Sequence, residues 1–107
     1  MAEIPINIKN ALSHFITNLS KEITVDSAFL FGSYAKGTWT NDSDIDIAVF
    51  SDFFSGRSRT DAIAFLLDRA LEYDLDIQPI VFDEKDLNNY QENPFVYEII
   101  TTGIKIA

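Results

Sequence analysis

The chain has 107 residues, 17 acidic and 8 basic, for a formal net charge of −9, a balance that disfavours stable nucleic-acid binding, which draws on Lys and Arg to neutralise phosphates. It favours metal ions or a basic protein partner instead. The absence of cysteine excludes disulfides, thiolate zinc sites and a thiol nucleophile, and with no basic leader and no apolar run near the ~20 residues of a membrane span the expected compartment is cytoplasmic.

Residues 1–107 are expected to form a single domain, since 47% hydrophobic and 13% aromatic residues can fill one core. Ile8, Ala11, Leu12, Phe15, Ile16 and Leu19 recur at helical spacing and predict an amphipathic helix over about 7–21. His14, the sole histidine, falls beside the apolar face and reads as a surface or boundary residue. The run Phe29-Leu30-Phe31 predicts a strand ending at Gly32, after which Ser33 opens a short helix over Tyr34 to Lys36 that Gly37 stops. A second strand opens with the acids Asp44 and Asp46 and runs to Phe50. Ser51 to Ser58 is a polar loop whose Phe53 and Phe54 hint at an interface.

Ile63, Leu66, Leu67, Ala70 and Leu71 predict a second long helix over about 59–73, capped by Ser58 or Thr60 with Asp61 in its first turn. The third strand is Leu75 to Phe82, with Asp76, Gln78 and Ile80 on one face and Ile77, Pro79 and Val81 on the other. Pro79 lacks an N–H and points to a sheet edge or a bulge. Asp83 to Asp86 starts a short helical segment, Pro94 opens a last helix with Phe95, Ile99 and Ile100 toward the core, and Gly103 ends it. Ile104-Lys105-Ile106 can add an edge strand. The order is that of an α/β domain whose first two strands are neighbours.

Gly32-Ser33 is separated by ten residues from Asp44-Ile45-Asp46. Side chains at i and i+2 of a strand share a face, so the two carboxylates look out together, with Ala48 and Phe50 behind them and Ile45, Ile47 and Val49 on the other face. Like charges that close raise one another's pKa unless a cation sits between them, and hard oxygen ligands suit Mg²⁺ or Mn²⁺. Gly32 permits a sharp turn or a close approach, and free N–H groups at the start of the following helix attract anions. Lys36 can approach a phosphate held there. Trp39, between the two halves, can stack on a base or pack; Tyr34, Thr38, Asp42 and Ser43 read as shaping the turn.

On these residues the segment Gly32 to Asp46 resembles the nucleotidyltransferase superfamily that includes DNA polymerase beta, and more narrowly the minimal nucleotidyltransferases of prokaryotes. The resemblance implies a small mixed β-sheet with helices packed mainly on one face. It also implies a third carboxylate on a neighbouring strand, for which Asp76 is the candidate and Asp74 the competitor. Two Mg²⁺ ions held by Asp44, Asp46 and Asp76, ATP as substrate, and Gly32, Ser33 and Lys36 as nucleotide-binding residues follow from it. Larger relatives bind the base or the acceptor with a second domain, so a partner chain is expected to complete the site. Minimal nucleotidyltransferases are typically paired with a HEPN-family toxin, which implies an antitoxin that transfers AMP to a tyrosine of that ribonuclease. The alternatives are a subunit acting on a small cationic acceptor such as an aminoglycoside, and a catalytically silent subunit that masks a toxin.

Overall fold

The computed structural model describes residues 4–107. Met1–Glu3, part of the start read above as lacking a basic leader, lie outside the described residues. Helix α1 (Ile6–Leu19) leads to strand β1 (Ser27–Phe31), the one-turn helix α2 (Ser33–Lys36) and strand β2 (Ile45–Phe50). Helix α3 (Arg59–Ala70) crosses to strand β3 (Ile77–Phe82), and α4 (Glu84–Asn88), α5 (Pro94–Thr102) and the two-residue strand β4 (Ile104–Lys105) complete the order. The sheet runs β3-β2-β1-β4, with β1–β2 and β1–β4 antiparallel and β2–β3 parallel. The first two strands are therefore neighbours, and β3 is an edge strand, where Pro79 costs no central ladder bond.

Strand alternation sorts the core into two layers. Ile45, Ile47 and Val49 of β2 and Ile77 and Val81 of β3 face α1 and α3, which contribute Leu12, Phe15, Leu19, Ala62 and Leu66. On the other face Phe29, Ala48, Phe50 and Phe82 pack with Val96 and Ile99 of α5, and Ile100, Leu87 and Tyr90 add partial cover. The two long helices thus lie on one side of a small mixed sheet, and the side bearing Asp46 is only partly covered. Full burial of each such aliphatic or aromatic side chain contributes about 1.5–3 kcal/mol, so the thick layer holds the sheet while the thin one leaves room for a ligand.

Several boundaries differ from the periodicity reading for identifiable reasons. α1 ends at Leu19, and α3 closes at Ala70, where Leu71 and Tyr73 turn their N–H groups to the carbonyls of Asp68 and Ala70 in tight i−3 bonds. Leu71, past the helix end, is 79% exposed, and Leu67, within the helix, lies off its buried face. In α5, Asn93 Oδ1 accepts from the N–H groups of Phe95 and Val96, and Pro94 at the first helical position sets the phase. That phase buries Val96 and Ile99 and leaves Phe95 49% exposed, in place of the inward Phe95 expected from sequence. Phe53 and Phe54 form a 3₁₀ turn capped by Ser51. Phe54 is buried, and Phe53 is held against Phe65 with the Arg57 guanidinium 4.1 Å from its ring centre, so these rings serve the fold and not a free surface. Among the described residues no helix is long and apolar enough to cross a membrane.

Of the two possible caps for α3 the structure uses Ser58, whose Oγ accepts the Asp61 N–H at 3.1 Å. Ser58→Ala is expected to cost about 1 kcal/mol. Thermal denaturation should read this as a fall in Tm of roughly 4–8 °C, with activity per folded molecule unchanged because the cap lies away from the carboxylates.

Candidate active site

Three carboxylates and one glycine converge at the start of the parallel pair. Register places Ile45 beside Ile77 and Asp46 beside Gln78, and the Ile45 N–H donates to the Asp76 carbonyl at 2.8 Å. Asp44 and Asp76, each just ahead of its strand, are therefore side by side. A side-chain hydrogen bond with Asp76, and then the negative charge of Asp76, raise the Asp44 carboxyl above the usual carboxylate range. The same bond, together with the Gln78 amide donating to Asp76 Oδ1 at 2.9 Å, holds Asp76 below it. Asp46, half-buried, is raised first by desolvation and then by Asp76. Asp74 sits exposed in the bend before β3 and is not among the groups acting on Asp44, which are Asp76 and Asp46.

Gly32 connects this cluster to the turn. It follows Phe31, the cross-strand partner of Asp46, and adopts φ +73° and ψ −148°, a region essentially reserved for glycine. A Cβ there would overlap Asp46 Oδ2. Gly32, not Ser33, occupies the cap position of α2, and Ser33 is its first helical residue. No side chain caps the turn. The Lys36 N–H is taken by the Gly32 carbonyl at 3.1 Å, which leaves the N–H groups of Ser33, Tyr34 and Ala35 without acceptors inside the helix. Gly37, left-handed at φ +78°, ends the turn.

Lys36 extends toward α5, its Nζ 3.9 Å from Glu98 Oε1, both side chains being more than half exposed. Such a pair is worth about 0–1 kcal/mol, so an anion at the turn can compete for the ammonium. Trp39 lies flat on buried Tyr34, ring centres 5.4 Å apart and planes 6° apart, which is the packing alternative of the sequence reading. Ser43 Oγ accepts the Thr40 N–H and Thr40 Oγ1 accepts the Asp42 N–H, so these polar residues shape the connection between the two halves. His14 is bonded to Tyr73 and Asn18 on the α1 side of the molecule and takes no part in the cluster.

Two partners were not foreseen from sequence. The Gln78 amide braces Asp76, and the i+2 spacing on one strand face was the available signal. The closeness of Gly32 to Asp46 depends on the β1–β2 register and left no local signal. Among the described residues no three His, Cys, Asp or Glu side chains already surround a single point as a finished metal cage.

Residues 13–107 match the family described as Polymerase beta, Nucleotidyltransferase. The chain is 35% identical over 105 residues to a Methanocaldococcus jannaschii protein named "Putative protein adenylyltransferase MJ1305", covering 92% of this chain and 70% of that one. Its fold is similar to the crystal structure of a "putative nucleotidyltransferase" from Sulfolobus solfataricus, with TM-score 0.65 and 19% identity over 78% of this chain and 73% of the other. The family match spans the glycine turn, the Asp-x-Asp strand and the neighbouring strand that brings Asp76 to them. The chain belongs to the polymerase beta nucleotidyltransferase family and is a nucleotidyltransferase.

Proposed function

We propose that this chain is a metal-dependent protein adenylyltransferase that transfers AMP from ATP to a tyrosine of a partner HEPN-family ribonuclease toxin, and so acts as its antitoxin in the cytoplasm. The observation that carries the chemistry is the meeting of Asp44, Asp46 and Asp76 beside an uncapped glycine turn. The M. jannaschii relative, by its name, acts on protein. The acceptor side of the site, around Asp76, is exposed and open to a second chain.

The donor set fits Mg²⁺ or Mn²⁺. Mg²⁺ keeps several waters and is usually held by one or two carboxylates plus substrate phosphates, and the oxygens of Asp44, Asp46 and Asp76 are hard donors of that kind. Asp44 and Asp46 would hold two ions and Asp76 would complete one site; bound there, the ions supply charge that neutralises the triphosphate. The backbone N–H groups of Ser33 and its neighbours would bind the β- and γ-phosphates, with the Ser33 hydroxyl and Lys36 adding donors. Asp76 would orient the acceptor hydroxyl and take its proton. The tyrosine oxygen bonds to the α-phosphorus as the bond to pyrophosphate breaks. Positioning and charge neutralisation account for the acceleration, since no covalent enzyme intermediate forms.

Purified chain with Mg²⁺ and α-labelled ATP is expected to label a co-expressed HEPN partner on tyrosine, and Asp44→Asn with Asp46→Asn to lower labelling by on the order of 10³-fold or more, as removal of transition-state electrostatics does elsewhere. Full labelling by the double variant would refute the enzymatic assignment. Neutralisation of the toxin by that variant would support masking by contact, and labelling of a cationic small molecule but no protein would support the aminoglycoside-like alternative.

A further inference from the structure

The aromatic residues on the partly covered sheet face extend up to the carboxylates. Phe31 lies opposite Asp46 in the β1–β2 ladder and on the same face. Phe95, in the first turn of α5, meets Phe31 edge to face at 6.0 Å and Phe82 at 6.2 Å. It does so while remaining 49% exposed. A large ring left half in water costs hydrophobic free energy that Val96 and Ile99, its neighbours on the helix, do not incur. Beside it a recess of about 60 Å³ is lined by Phe31, Gly32, Lys36, Phe95, Glu98 and Thr102. Gly32 and Lys36 therefore belong both to this recess and to the proposed phosphate turn.

Resting on the nucleotide-site reading above, the geometry points to Phe95, backed by Phe31, as the platform on which the nucleobase of the bound triphosphate stacks. Strand order decides between base and acceptor. Phe31 and Gly32 lie on β1 and its exit, whereas Asp76 lies across β2 just ahead of the edge strand, so the recess shares residues with the phosphate side and not with the acceptor side. A recess of about 60 Å³ is far too small to enclose a base. The base rests on the exposed ring with its other face in water, and recognition is by stacking, which tolerates any base.

Calorimetric titration of the full chain in Mg²⁺ with ATP, GTP and inorganic tripolyphosphate separates the platform from the phosphate turn. Phe95→Ala is expected to weaken ATP and GTP alike by roughly ten-fold, a typical loss of one base stack, and to leave tripolyphosphate unchanged. Phe95→Leu, which keeps apolar packing against Phe31 and Phe82, should resemble Phe95→Ala, and Phe95→Trp should resemble wild type. Unchanged ATP affinity in Phe95→Ala, or equal losses for ATP and tripolyphosphate, would overturn the platform while leaving the phosphate turn in place. Failure of the wild-type chain to bind any of the three would overturn the nucleotide-site reading, and the platform with it.

Discussion

Gly32→Ala is expected to lower Tm by roughly 10 °C and to cut nucleotidyl transfer by at least 10²-fold, more than the loss of folded protein accounts for. Two independent costs combine at this position. An L-residue at φ +73° and ψ −148° is strained by about 1–3 kcal/mol, and a Cβ would also overlap Asp46 Oδ2. Relief by moving Asp46 displaces a carboxylate of the proposed metal site, and relief by moving the backbone closes the uncapped start of α2. Gly37→Ala offers the comparison, because Gly37 shares a positive φ, +78°, at the other end of the same turn. That variant should lose stability with a much smaller loss of kcat. Circular dichroism melts and transfer assays at a temperature where both variants are folded would separate the two effects. Equal activity losses for Gly32→Ala and Gly37→Ala would show that Gly32 acts only through its backbone conformation.

Period-two alternation made the site face legible before any coordinates. Asp46, Ala48 and Phe50 separate from Ile45, Ile47 and Val49 as a strand requires, and of the edge or bulge that Pro79 allows, β3 is the edge. Helical phase was read less well. In α3 and α5 the apolar residues outnumber those a single face can bury, and the start of the helix decides which are buried, so spacing alone does not separate buried Val96 from half-exposed Phe95. Gly103 shows why counting residue types fails here. Its φ is not positive, yet a Cβ would collide with the Ile99 carbonyl oxygen and lie 2.9 Å from that of Leu30, so glycine is needed because α5 and β1 pass so close. In the site the carboxylates were legible from spacing, whereas the Asp44–Asp76 hydrogen bond, the Gln78 brace and the Gly32–Asp46 contact all arise from strand register, which no local pattern encodes.

The carboxylate cluster should make the metal-free protein less stable as pH rises from about 4 toward neutrality, and Asp46→Asn should raise its Tm at pH 7. Asp44 and Asp46 have folded pKa values above their ordinary ones, Asp44 through its bond to Asp76 and Asp46 through desolvation. Between the unfolded and folded values the native state holds more protons than the unfolded chain, so stability falls as pH rises through that window. Asp76 is depressed and acts in the opposite sense, stabilising above the ordinary carboxylate pKa and losing that contribution as pH falls through its lowered value. The Asp44 and Asp76 shifts share one hydrogen bond and oppose each other, so the desolvated Asp46 sets the loss toward neutral pH, to which repulsion within a chain of net charge −9 adds. Asparagine at 46 removes the desolvated charge and flattens the profile. Mg²⁺ should reverse the order at pH 7, raising the Tm of wild type but not of Asp46→Asn, and its effect should fade near pH 4 as protons compete for the same oxygens. Thermal melts across pH 4–8, with and without Mg²⁺, would measure all of this. A lower Tm for metal-free Asp46→Asn than for wild type at pH 7 would mean that the carboxylate is held by donors rather than strained by burial, and would remove the reason for a cation between these acids.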